Sequence, residues 1–87
     1  MSSTIDVRQG AQPSYAGVRV GVMAVGEHQG VRKARLMIRS DTENKRVDLA
    51  FGDTEDLFGL ATVTLDDVRP EPGGRGAVTL TFRDADA

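Results

Sequence analysis

Apolar and polar positions alternate with a period of two along most of the chain, and no stretch sustains the 3.6-residue period of an amphipathic helix. "TIDVR" sends Ile5 and Val7 to one side, and "YAGVRVGVMAV" does the same with Val18, Val20, Val22 and Ala24. "VRKARLMIRS" separates Ala34, Leu36 and Ile38 from Lys33, Arg35 and Arg39, with Met37 standing among the cations. "KRVDLAF" turns Val47, Leu49 and Phe51 inward, and "AVTLTF" does so with Val78, Leu80 and Phe82. In "LATVTLDDV" the inward set is Ala61, Val63 and Leu65. Val68 is out of phase with that set, which predicts a β-bulge at Asp66–Asp67. Six strands follow, over about 4–9, 15–25, 31–40, 45–51, 60–69 and 76–83.

The connections read as turns. In "EHQG", Gly30 suits the left-handed position of a three-residue hairpin loop. "SDTENK" supplies a four-residue loop, and "RPEPGGRG" a longer hairpin tip. Residues 52–59, "GDTEDLFG", form a compact corner whose Leu57 and Phe58 plug one end of the core. The expected fold is all-β: about six mostly antiparallel strands in a small sandwich or partly open barrel, one domain over residues 1–87.

Requiring like faces to meet sets two registers. Between strands 31–40 and 45–51, Ile38 meets Val47, Leu36 meets Leu49, and Ala34 meets Phe51. On the other face Arg39 falls opposite Arg46, Met37 opposite Asp48, and Arg35 opposite Ala50. Strand 15–25 then places Arg19 opposite Arg39, Gly21 opposite Met37, Met23 opposite Arg35, and Val25 opposite Lys33. The outer face so built has an apolar centre of Met23, Val25 and Met37, rimmed by Arg35, Arg39 and Arg46. That is the composition of an interface rather than of a solvated sheet. The plainer alternative makes the same face a second inner face, covered by residues 1–15 or by the corner.

Charge sharpens this reading. Residues 31–46 carry Arg32, Lys33, Arg35, Arg39, Lys45 and Arg46 against Asp41 and Glu43, a net of +4, whereas the chain from Asp48 onward carries −6. The acidic half, with Asp53, Glu55, Asp56, Asp66 and Asp67, is complementary in sign to the arginine face. Self-association into a homo-oligomer is the first expectation for a partner, and an acidic protein the second. With 87 residues and no cysteine, stability must come from apolar packing. The opening "MSSTIDVRQG" lacks the apolar run of a signal peptide, and "VGVMAVG" is too short to span a bilayer, so a cytoplasmic protein with no membrane partner is expected.

Catalytic chemistry finds little support in the sequence. His28, the one histidine, sits at a hairpin tip with no nucleophile and acid spaced to form a triad. The acidic loops lack the ligand alternation and glycine of a calcium loop, so no metal and no cofactor is expected. Nucleic acid is disfavoured by the net charge of −2 and by an arginine face without stacking aromatics. "VDLAFGDTEDLFGLATVTLDDVRPE" and "GAVTLTFRDAD" together resemble small uncharacterised β-proteins of high-GC actinobacteria, over residues 45–83. The resemblance implies a compact cytoplasmic β-domain and transfers no functional residue. The expected function is a non-enzymatic interaction or self-assembly module using the arginine-rimmed face. The alternative is a small-molecule-binding, β-barrel-like protein, with its cavity either in the barrel mouth or at a homodimer interface.

Overall fold

Strands form where the two-residue alternation is sustained, and the computed structural model, which describes residues 2–71 and 75–85, contains eight of them. In chain order they are β1 (Ser2–Arg8), β2 (Ser14–Tyr15), β3 (Val18–His28), β4 (Val31–Arg39), β5 (Asn44–Ala50), β6 (Thr54–Asp56), β7 (Ala61–Arg69) and β8 (Ala77–Asp84). They make two antiparallel four-stranded sheets, ordered β1-β8-β7-β6 and β2-β3-β4-β5. The sheets stack as an open sandwich. No helix occurs among the described residues, so none is long and apolar enough to cross a membrane. The expected hairpin tip after β7 includes residues 72–74, which lie outside the described residues.

Alternation buries one face of each sheet against the other. The first sheet contributes Val7, Ala61, Val63, Leu65, Val68, Val78, Leu80 and Phe82. The second contributes Val18, Val20, Val22, Ala34, Leu36, Ile38 and Leu49. Each fully buried Val, Leu, Ile or Phe stabilises the fold by about 1.5–3 kcal/mol. Leu57 is fully buried at the corner and Phe58 packs half-buried beside the core, so the expected plug is present. The bulge on β7 is also where alternation placed it: Leu65 pairs with Leu80 and Asp67 with Thr79, leaving Asp66 as the extra residue.

Two short edge strands, β2 and β6, carry too few residues to show alternation, and both expected registers need correction. β4 and β5 pair two residues away from the expected alignment, with Leu36 opposite Val47 and Ala34 opposite Leu49. The shift goes with a loop closed at Ser40. Its Oγ accepts from the amides of Glu43 (3.1 Å) and Thr42 (3.3 Å), and its own amide donates to Glu43 O at 2.8 Å, closing the loop over Ser40–Glu43. Arg39 therefore faces Asn44 rather than Arg46, and Arg35 faces Asp48 rather than Ala50. Phe51 moves past the last core pair, level with Arg32, and is 58% exposed instead of buried.

Between β3 and β4 the expected register holds from Arg19–Arg39 to Val22–Leu36, then slips by one. The cause lies in the turn. Gln29 and Gly30 both have positive φ, 52° and 81°, forming a two-residue connection between His28 and Val31 instead of a three-residue loop. Such doubly left-handed turns match the twist of a hairpin. The one-residue mismatch is absorbed by a bulge at Met23, which reverses the facing of the rest of β3. Val25 turns inward opposite Ala34, and Ala24 turns out. Val25 packs so closely on Gly76 that a Cβ there would approach Val25 Cγ1 to 2.7 Å.

Glutamine in the left-handed region is strained, whereas asparagine tolerates it. Gln29→Asn is expected to raise unfolding free energy by about 0.5–1 kcal/mol in urea titration. No gain would show that the turn is not held in this conformation.

Candidate binding cleft on the arginine face

The outer face of the second sheet is organised in cross-strand rows. Arg19 lies opposite Arg39, which lies opposite Asn44. The next row is Gly21, Met37 and Arg46, and the one after is Ala24, Arg35 and Asp48. Met23, carried outward by the bulge, is 42% exposed beside them. Arg19, Met23, Arg35, Arg39 and Arg46 are exposed and none of this face is buried, so it is not a second core.

Residues 9–13 form one wall. They run beside β3, with Gly10 N–H donating to Val22 O at 2.7 Å, Val22 N–H to Ala11 O, and Val20 N–H to Pro13 O. Gly21 has a structural reason: Gln12 Cγ lies 3.2 Å from where its Cβ would be, so a side chain there would crowd the wall. Between wall and sheet lies a cleft of about 440 Å³, lined among others by Gln12, Arg19, Met23, Met37, Arg39 and Arg75. Arg19 and Arg39 form one cationic end. Arg75 lies beside Gly10, level with Val22, about 10 Å further along β3.

The expected site residues divide between the two faces. Met23, Met37, Arg39 and Arg46 do share this face, whereas Val25 does not. Arg35 is there but occupied: its Nε donates to Asp48 at 2.8 Å. Arg19, Arg39, Arg46 and Arg75 have no acidic partner within ion-pair distance among the described residues. Arg19 and Arg39 face each other directly, an arrangement that costs a few tenths of a kcal/mol. Strand alternation gave no hint of the 9–13 wall or of Arg75. A signal existed for the wall, because a lone glycine inside a valine-rich strand marks close approach of another segment.

The acidic residues of the second half are engaged within the fold. Asp53 accepts from Ala50 N–H at 2.9 Å and Asp56 from Gly59 N–H at 2.9 Å, so both brace turns. Glu55 pairs with Lys45 at 2.9 Å. Asp66 accepts from the Thr81 hydroxyl, and Asp67 from Arg69 at 2.6 Å. Among the described residues no group of three or more His, Cys, Asp or Glu could hold a metal ion. His28 is exposed at the end of β3.

Hydrogen bonding from Arg35 holds the Asp48 carboxyl below the usual carboxylate range, against partial desolvation and aided by the charges of Arg35, Arg46 and Lys33. Arg69 lowers Asp67 in the same way. A folded-state pKa below the unfolded value gives stability that is present above about pH 4 and lost as pH falls through the folded value. Asp48→Asn is therefore expected to flatten the loss of stability below about pH 4, read as the urea midpoint at stepped pH. An unchanged acid slope would show that the Arg35–Asp48 pair is not formed in solution. No protein-family model matches the chain, and no curated protein or solved structure matches it either.

Proposed function

We propose that the chain is a non-enzymatic binding module whose arginine face receives an extended acidic segment of a partner protein. The observation that carries this reading is the Arg19–Arg39 pair, opposed across two strands, not ion-paired among the described residues although Asp41 lines the neighbouring surface, and opening onto the Met23–Met37 cleft. An anion seated there relieves the repulsion, and an apolar side chain covers the methionines. Asp53, Glu55, Asp56, Asp66 and Asp67 each have a partner within the fold, which favours a different protein over the acidic half of another copy. In an extended peptide, residues i, i+2 and i+4 share a face and span about 13 Å. The pattern Glu-x-Leu-x-Glu thus offers two carboxylates to the two cationic ends and a leucine to the centre.

The test is calorimetric or fluorescence titration with the peptide Glu-Ser-Leu-Ser-Glu and its glutamine counterpart. The acidic peptide is expected to bind, with affinity falling as salt rises, and the neutral one not to bind. Equal binding of the two would refute the electrostatic basis of the site. The cleft volume also lies within the range of small-ligand pockets, which supports a second reading, a small amphipathic carboxylate. Thermal stabilisation by octanoate without any by the peptide would select it.

A further inference from the structure

Four strands lie at sheet edges, and three of them are guarded. β2 has two residues, preceded along the same edge by the irregular segment 9–13 with Pro13, and β6 has three, too short to template another strand. β5 carries Lys45, paired to Glu55, and its last residue is closed by exchange of bonds between Ala50 and Asp53. Inward-pointing charges and short edges are the usual protection against strand addition. β1 has neither: seven residues, "SSTIDVR", without proline, lysine or bulge, its charges Asp6 and Arg8 facing outward, and paired among the described residues on one side only, to β8.

We propose that β1 is a dimerisation edge, to which a second copy adds its own β1 antiparallel about a two-fold axis at Ile5. The bond from Gln9 N–H to Gly76 O sets the alternation along this strand. Ser3, Ile5 and Val7 direct their backbone groups to β8, and Ser2, Thr4, Asp6 and Arg8 direct theirs to the open edge. Antiparallel pairing joins edge-facing residues to each other, so few registers are allowed. The one with full overlap sets Ser2 opposite Arg8, Thr4 opposite Asp6, and Ile5 opposite its own copy. It brings no like charges together. A shift of two residues towards the C-terminus would set Asp6 against Asp6, and the opposite shift shortens the overlap. On the inner side Ile5, half-buried in one chain, gains an apolar neighbour.

The joined strands make one eight-stranded sheet. The two-fold axis runs perpendicular to it, so both arginine faces point the same way. A dimer would therefore offer a partner two clefts, and avidity without any new contact. Dimerisation itself does not depend on what the cleft binds.

The chain lacks cysteine, so single cysteines report the register. Ile5→Cys places two thiols across a non-hydrogen-bonded pair, with Cα atoms about 4.5 Å apart and within disulfide range. Ser3→Cys, on the same strand and same side, stays apart from its copy. Asn44→Cys on the β5 edge controls for random collision. Under mild oxidation at about 10 µM, Ile5→Cys is expected to cross-link at least about tenfold faster than either control. Equal rates, or none at Ile5→Cys while its circular dichroism is native, would overturn the proposal. The wild-type chain is expected to sediment as a dimer at about 0.1 mM and Ile5→Lys as a folded monomer. A wild-type monomer at that concentration would also overturn it.

Discussion

Phe82→Ala is expected to remove about 3–5 kcal/mol of stability, the cost of truncating a buried aromatic without collapse of the cavity. Phe82 is 1% exposed on the inner face of β8, a central strand. Its ring stacks on Tyr15 of the other sheet with centroids 5.1 Å apart and planes 12° from parallel, and Tyr15 donates to Asp84 at 2.8 Å. The substitution thus severs a link between the two sheets as well as emptying core volume. A domain of this size has roughly 5–10 kcal/mol in total, so about half is lost. Phe51→Ala is the paired control, because the observed register leaves that ring 58% exposed. A loss within about 0.5 kcal/mol is expected there. Comparable losses at both positions in urea titration would contradict the β4–β5 register.

Arg39→Glu is expected to separate binding from stability. It replaces a like-charge pair by an opposite-charge pair with Arg19 across the two strands, so the urea midpoint stays or rises slightly, by a few tenths of a kcal/mol. At the same time it puts a carboxylate where an acidic segment would sit. Affinity for Glu-Ser-Leu-Ser-Glu should fall about 10- to 100-fold, as attraction becomes repulsion at one end of the cleft. A residue whose native form is the less stable one is the signature of a surface kept for binding. If the variant lost stability and affinity together, Arg39 would be a structural residue, and the cleft a consequence of packing alone.

How far the sequence could be read depended on what fixes each feature. Inward and outward sets follow from a two-residue period, which is local, so nearly the whole core from Val7 to Phe82 was legible. The β7 bulge was legible because Val68 breaks phase within its own strand. The Met23 bulge was hidden, because Val22, Ala24 and Val25 are all apolar and no phase break shows. Its cause sits in the turn, where Gln29 adopts a conformation that its residue type does not advertise. The two-residue slip of β5 preserves facing, so alternation is blind to it; it goes with the Ser40–Glu43 loop closure, which no periodicity reports. The candidate site suffered from both effects. Met37, Arg39 and Arg46 were placed on the correct face, Val25 was not, and Arg75 came from a distant loop that no pairing rule reaches.

Whether the cleft bounded by Arg19, Arg39, Met23 and Met37 receives acidic chains can be decided residue by residue. The measurement is an amide nitrogen–proton NMR titration of the uniformly labelled chain with Glu-Ser-Leu-Ser-Glu. Shifts are expected to concentrate at Arg19, Gly21, Met23, Met37 and Arg39, to weaken with salt, and to vanish in Arg39→Glu. Shifts centred on the opposite sheet, or none anywhere at millimolar peptide, would contradict the proposed binding surface.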